Sequence, residues 1–396
     1  MNAQLTTQFS PLTVEEVSAL FDRKGDWCAS IYIPTAEAGK EIRQSPIRLK
    51  NRLSEAEQQL EEAGSDQAPV AKACELLKQR CDLDSDENRA FWRHQGRGLA
   101  VLLDGTDEHF FRLPQPVDRS AVVAQRFHLK PLLRAVNRDE EYCVLAVSQQ
   151  QVRFLDGSRS GLSERPVEQL PESLQAVIRG DHIKGFNMHS FNVRPGDGDA
   201  AVPHGHLDSN EQHELRRYFG TIDQALHEEL RGDTRPLIFA GVGELFPFFR
   251  DTTEYGFLEE TPIAGNPDEL SATELHDKAW PMIAKRFKQR QQDALQRYQS
   301  AVHNDLGESD LEKILIAAHD GRIDTLLVQS GATCWGTYDA DSRSLQRDDE
   351  SSAENYDLID LATVKTFAAQ GSVVFLDDAS LPDGQVAAAI CRYPME

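Results

Sequence analysis

The residues Tyr142-Cys-Val-Leu-Ala-Val147 form an uninterrupted apolar run, and Ser148-Gln149-Gln150 then turns the chain. A short apolar run that ends in polar residues predicts a buried β-strand. Residues 152–155 continue as a second strand, and Pro236–Gly241 predicts another one. Between them, residues 210–231 predict a helix, because apolar residues recur there at helical spacing: Leu215, Phe219, Ile222, Leu226 and Leu230.

Two further blocks flank this one. The first opens with a short helix pattern over residues 13–21, and predicts a strand over Cys28–Ile33, helices over 46–63 and 69–81, and a strand pair over 98–103 and 110–113. In the last block strands and helices alternate, which is typical of a small α/β domain. The sequence therefore predicts an α/β protein of three domains: residues 1–138, 139–305 and 306–396.

Two stretches carry more specific expectations. Ser271 and Glu274 have the spacing of a capping box and open a helical region that reaches Val302, with Pro281 expected to kink or divide it. The polar, acidic residues 339–355 are expected to form an exposed loop.

The chain has 396 residues and a net charge of −23. Such an acidic protein repels nucleic acid as a whole, so RNA contact would need local basic patches. Lys40–Arg52 holds five basic residues against one acid, and Lys278–Arg297 holds six against one. Residues 306–396 hold 17 acids against six bases. A charged run is usually a solvated helix face, so composition alone does not decide whether these basic stretches bind RNA.

No apolar run is long enough to span a membrane, and the N-terminus has no signal-peptide pattern. We therefore expect a cytoplasmic protein that contacts neither membrane nor DNA. The six cysteines form no Cys-x-x-Cys pair and are expected to be buried thiols.

Residues 180–208 are rich in glycine, histidine and cationic side chains. A metal site using His204-x-His206, a cationic finger that enters a polyanionic partner, and a disordered surface loop all fit this composition. Ser209 and Gln212 have capping-box spacing, so Gln212 is expected to bond back to the Ser209 amide. The sequence lacks the Gly-x-Ser-x-Gly elbow and the phosphate-binding loops of common hydrolases and nucleotide enzymes.

Several short stretches together resemble the bacterial relatives of archaeal and eukaryotic class-1 release factors and of Pelota, a group that includes the hibernation factor Balon. These stretches are Ser30-Ile-Tyr-Ile-Pro-Thr35, Pro46-Ile-Arg-Leu-Lys50, Phe127-His-Leu-Lys-Pro-Leu132, Gly265-Asn-Pro-Asp-Glu-Leu270, Ala318-His-Asp-Gly-Arg322, Asp324-Thr-Leu326 and Arg392-Tyr393. The resemblance implies a ribonuclease-H-like middle domain and a last domain of the release-factor and Pelota type.

In true release factors, the middle domain carries a Gly-Gly-Gln loop that promotes ester hydrolysis in the peptidyl transferase centre. This chain contains no Gly-Gly-Gln, and His204-Gly205-His206 lies at the corresponding place, before the helix that begins near Asn210. The resemblance therefore implies occupation of the ribosomal A site, in hibernation or rescue, without a catalytic residue, metal or cofactor.

The same resemblance implies the contacts. Ribosomal RNA would be held by Arg43, Arg48, Lys50 and Arg52. A second group would lie near the peptidyl transferase centre, against RNA or the tRNA end: His189, Arg194, His204, Gly205, His206, Gln212, Arg216 and Arg217. Elongation factor Tu or another translational GTPase is an expected protein partner. Two alternatives stay open, namely a peptidyl-tRNA ester hydrolase that uses His206 or Gln212, and a metal-dependent hydrolase built on the histidine loop.

Overall fold

The computed structural model describes residues 12–36, 40–63, 68–93, 95–104, 106–137, 141–148, 150–159, 161–173, 209–377 and 381–394. The chain forms two compact units. One joins an N-terminal segment, residues 1–138, to a C-terminal segment, residues 288–396, and the other is a middle unit of residues 139–287. The division into three domains stays a prediction. No helix among the described residues is long and apolar enough to cross a membrane.

The N-terminal segment is built on an antiparallel sheet of four strands in the order β3-β2-β1-β4. The strands are β1 (Lys24–Pro34), β2 (Gly98–Leu103), β3 (Glu108–Leu113) and β4 (Ser120–Arg126). The helices are α1 (Val14–Ser18), α2 (Gln44–Ala63), α3 (Ala68–Arg80), α4 (Asp86–Arg93) and α5 (Lys130–Val136). The predicted strands and helices are all present, whereas β4, α4 and α5 were not predicted.

Apolar residues cover both faces of this sheet. Leu49 and Leu53 of α2 and Cys74 of α3 pack on one face, while Val17 of α1 and Leu132 of α5 pack on the other. The edge strand β4 is covered as well. The side-chain amide of Gln59 donates to the carbonyl of Ala121 and accepts from the N–H of Val123, both at 3.0 Å. This amide occupies hydrogen-bonding groups that an open sheet edge would offer to another strand.

The middle unit contains a mixed sheet of five strands in the order β7-β6-β5-β8-β9. The strands are β5 (Tyr142–Val147), β6 (Val152–Ser158), β7 (Gly161–Glu164), β8 (Leu237–Gly241) and β9 (Ile263–Ala264). β5, β8 and β9 are parallel, and β6 runs antiparallel to both of its neighbours. The strand order 3-2-1-4-5 with the second strand reversed is that of a ribonuclease-H-like sheet, as expected.

Helices cover both faces of the middle sheet. They are α6 (Ser209–Glu229), α7 (Phe246–Thr252) and α8 (Ala272–His303), with a 3-10 turn over Pro267–Glu269. The five apolar positions that predicted α6 are all buried against the sheet. The first half of α8 packs on the opposite face through Leu275, Ala279 and Ile283.

The start of α8 is a reciprocal capping box. The backbone N–H of Ser271 donates to Glu274 at 2.9 Å, and the N–H of Glu274 donates to the Ser271 hydroxyl at 3.3 Å. Of the two expectations for Pro281, a division of the helix is wrong, because α8 continues through it, and a kink stays a prediction. Pro281 is exposed, and the buried residues on both sides of it keep the helix on the sheet.

The C-terminal segment begins with the last part of α8 and contains two sheets. The first has the order β10-β16-β11-β15, and the second has the order β13-β12-β14. The strands are β10 (Gly307–Glu308), β11 (Ile323–Gln329), β12 (Trp335–Asp339), β13 (Ser344–Arg347), β14 (Tyr356–Asp357), β15 (Ser372–Leu376) and β16 (Ala387–Cys391). The helices are α9 (Leu311–His319) and α10 (Leu358–Ala368).

The expectation of an exposed loop over residues 339–355 is wrong in part. Its middle forms β13, which pairs antiparallel with β12. Leu345 lies opposite Tyr338 in that register, and both side chains pack against the apolar core of the segment. A single apolar residue in a polar stretch is too weak a pattern to predict a strand.

Candidate nucleic-acid interface

The exposed face of α2 is the part of the predicted RNA-binding set that the structure describes best. Ile47, Lys50, Asn51 and Ser54 recur at helical spacing and are all exposed. Arg43 is also exposed, and it ends the 3-10 turn Lys40–Arg43 that leads into α2. The opposite face of the helix is apolar and buried, so these side chains point away from the segment's own core.

The four predicted RNA-binding cations are not equivalent. The guanidinium of Arg48 donates to the carbonyl of Pro34 at 3.0 Å, at the end of β1. Arg52 forms an ion pair with Glu55, one turn further along the helix. These two side chains are half-buried, whereas Arg43 and Lys50 are exposed. Sequence reasoning could count the positive charges, but it could not tell which of them face the solvent.

Ile47 is a feature of this face that sequence reasoning missed. Its side chain is 53% exposed, and it lies between the positions of Arg43 and Lys50. An apolar residue flanked by cations and by the amide of Asn51 suits a partner that offers phosphates together with flat apolar surface, as RNA does. The signal that could have revealed it is its position outside the buried stripe Leu49, Leu53, Ala56 and Leu60.

Cys81 follows α3 and lies close to Lys50. Burial raises the pKa of the Cys81 thiol to about 12, although the positive charges of Lys50 and Lys78 act in the opposite direction. The thiol also lies 3.6 Å from the carbonyl of Leu77. Cys81 is therefore a protonated thiol close to Lys50, and it adds no negative charge to the exposed face of α2.

The second predicted group is described only in part. Arg216 and Arg217 are exposed neighbours on α6, and Gln212 is half-buried one turn before them. His189, Arg194, His204, Gly205 and His206 lie outside the described residues. The structure therefore leaves the proposed grouping of these side chains untested, as it does the capping role of Gln212.

The second basic stretch, Lys278–Arg297, lies on α8. Two of its arginines form ion pairs with neighbouring acids: Arg286 with Glu259 at 2.6 Å, and Arg297 with Asp324 at 3.0 Å. Ion pairing reduces the positive charge that this helix can offer to an anionic partner.

Residues that could bind a metal ion come together at one place in the described part of the chain. Ligand atoms of Asp104, Asp107 and His109 lie within 4.8 Å of one another. Arg23 already donates to both carboxylates, at 2.8 and 2.6 Å. Burial lowers the pKa of His109, and the nearby charge of Arg23 lowers it further. The carboxylates are thus compensated by a guanidinium.

The sheet of the middle unit offers no acidic ligands on its two central strands, since neither Tyr142–Val147 nor Leu237–Gly241 contains an acidic residue. Two-metal phosphodiester hydrolysis needs carboxylates that hold the ions. These two strands therefore supply no carboxylate ligand for such a pair of ions.

The middle of the chain matches a known protein family. Residues 141–322 match the family model described as bacterial archaeo-eukaryotic release factor family 3. This segment contains the whole ribonuclease-H-like sheet and extends to Arg322, the last residue of the Ala318–Arg322 motif. This match covers a little less than half of the chain, and it agrees with the resemblance to bacterial archaeo-eukaryotic release-factor-like proteins drawn from the short motifs.

No curated protein matches the chain. Among solved structures, the chain is similar to an archaeal Pelota from a model of ribosome-bound Pelota and ABCE1. The two chains are 10% identical with a TM-score of 0.41, and the match covers 98% of this chain and 96% of the other. It is similar to S. cerevisiae Dom34 at 12% identity and a TM-score of 0.39, over 76% and 74% of the two chains. It is similar to the archaeal termination factor aRF1 at 13% identity and a TM-score of 0.24, over 96% and 98%. TM-scores below 0.5 establish no further likeness.

Proposed function

We propose that this protein is a ribosome-associated translation factor that occupies the A site of inactive or stalled ribosomes without releasing the peptide. The observation that carries the proposal is the release-factor family match of residues 141–322 in a sequence without Gly-Gly-Gln. The family supplies the expectation of ribosome binding. The missing tripeptide removes the group on which release factors depend for ester hydrolysis.

The charge distribution supports a local mode of binding. A net charge of −23 opposes non-specific attachment to RNA. Binding then depends on a few exposed cations, of which Arg43 and Lys50 on the α2 face are the best placed. Arg216 and Arg217 on α6 supply a second pair of exposed cations in the middle unit. The acidic C-terminal segment suits a protein partner better than RNA, such as elongation factor Tu or another translational GTPase.

Sedimentation with purified ribosomes tests the proposal. At low salt the wild-type chain is expected to sediment with ribosomes, and aminoacyl-tRNA delivered to the A site is expected to displace it. Ribosomes that carry labelled peptidyl-tRNA are expected to keep the label when the chain is bound. A chain that stays at the top of the gradient overturns the proposal, and release of the label would instead support an ester hydrolase.

A further inference from the structure

The motif Phe127-His-Leu-Lys-Pro-Leu132 joins the N-terminal segment to the C-terminal segment. The Lys130 side chain is buried, and its Nζ donates at 2.6 Å to two acceptors in the C-terminal segment, the carbonyl of Ala332 and Oδ2 of Asp357. These acceptors lie about 200 residues further along the chain. A motif that reads as the start of a local helix is therefore a long-range contact.

Asp360 holds the backbone of the same motif. Its Oδ1 accepts from the N–H of Leu129 at 2.7 Å and from the N–H of Lys130. Leu129 is the N-cap residue of α5 and supplies no side-chain cap of its own. A carboxylate from α10 thus caps α5, and the N-terminal segment depends on the C-terminal segment to satisfy these backbone groups.

Asp357 connects the other side of the contact. Its Oδ1 accepts from the N–H of Ile359 at 3.0 Å, which caps α10, and from the N–H of Cys334 at 3.1 Å. Its Oδ2 remains for Lys130 at 2.6 Å. One carboxylate therefore orders the start of α10 and binds the N-terminal segment at the same time.

Further contacts follow the same surface. Arg134 of α5 makes a bidentate pair with Asp377 at 3.0 and 2.9 Å, and the Asn137 amide donates to the carbonyl of Val373 at 3.0 Å. Val364 of α10 is part of the apolar cluster that lies under α5. The two segments share a continuous surface with a buried ionic centre.

We propose that Lys130, Asp357 and Asp360 form an ionic clasp that makes the N-terminal and C-terminal segments open together, so that a force or partner acting on one segment acts on both. Charges that are removed from water stabilise a contact poorly, because the cost of desolvation offsets their attraction. Such groups instead fix one arrangement, since any other leaves a buried charge without a partner. The clasp thereby favours a single docked arrangement over a range of partly separated ones.

Hydrogen exchange on the full chain tests the clasp without any ribosome. In the wild type, amides of α5 and α10 are expected to exchange through one shared opening. Lys130→Met leaves Asp357 buried without its cation, and we expect exchange in both helices to become about 10²- to 10³-fold faster. Amides of β5 in the middle unit serve as an internal reference and are expected to keep their rates.

Lys365→Gln is the matched control, because Lys365 is half-buried, lies 3.7 Å from the exposed Asp22 and joins the same two segments. This change is expected to leave exchange in both helices unaltered. If Lys130→Met does not fold, Asp357→Asn takes its place, since an amide oxygen still accepts from the N–H groups of Ile359 and Cys334 while the anionic partner of Lys130 is lost. The proposal is overturned if α5 and α10 of the variant exchange at the wild-type rates. It is also overturned if exchange in β5 becomes faster by the same factor as in these helices.

Discussion

The exposed cations of α2 allow a quantitative prediction of how ribosome binding depends on salt. Each phosphate contact contributes about 0.7 to 0.9 to the slope of log affinity against log salt. Arg43 and Lys50 are exposed, whereas Arg48 and Arg52 are engaged by Pro34 and Glu55. The variant R43Q/K50Q is therefore expected to lower the steepness of the slope by about 1.4 to 1.8.

The assay is binding of a fluorescently labelled chain to purified ribosomes over a salt series. A rise from about 50 to about 200 mM is expected to weaken the wild type roughly 7- to 12-fold more than the double variant. If all four cations contacted phosphate, the quadruple variant R43Q/R48Q/K50Q/R52Q would change the slope twice as much as the double variant. We expect the two variants to be equal within error.

Lys313→Gln controls for the loss of positive charge as such. Lys313 is exposed on α9 in the acidic C-terminal segment, where it pairs with Glu308 at 3.4 Å. Its replacement is expected to leave the slope unchanged. The reasoning is refuted if R43Q/K50Q keeps the wild-type slope, or if R48Q alone lowers it as much as K50Q does.

Three further predictions concern the described scaffold. Arg235→Met leaves the half-buried Asp233 and the buried Glu141 without their cation, so we expect a loss of about 3 to 5 kcal/mol in the free energy of unfolding by urea. Burial raises the pKa of Asp104, but hydrogen bonds from neighbouring amides, a hydroxyl and Arg23 outweigh it and lower this pKa to about 2. The stabilisation of the fold by the Asp104 carboxylate is therefore complete above about pH 4 and is lost as the pH falls toward 2. Arg23→Gln should remove at most about 1 kcal/mol of this stabilisation at neutral pH, which unfolding measured over a pH series can show. Burial raises the pKa of Cys74 to about 12, so iodoacetamide at pH 8 should leave it unmodified in the native chain and alkylate it in urea, as mass spectrometry can show.

Periodicity predicted the elements that carry strong local patterns. Tyr142–Val147 is a buried strand, and the apolar stripe of α6 predicted both the helix and its buried face. Elements with weak patterns were missed. β4 alternates only partly in burial, and β13 contains a single apolar residue. β4 is stabilised by partners distant in sequence, namely β1 and the Gln59 amide, whereas β13 pairs with the neighbouring strand β12 and packs against the C-terminal core.

The amino-acid sequence by itself determined where β5, β6, β8, α6 and α8 of the middle unit fall and which short stretches carry positive charge, because periodicity and charge are properties of neighbours along the chain. The short strands β7 and β9 were not predicted. Only the tertiary structure decided which cations are exposed and what the Phe127–Leu132 motif contacts. Arg48 and Arg52 differ from Lys50 through a carbonyl and a carboxylate that helix packing places beside them. Lys130 meets Asp357 across about 200 residues, and local patterns contain no information on a contact of that range.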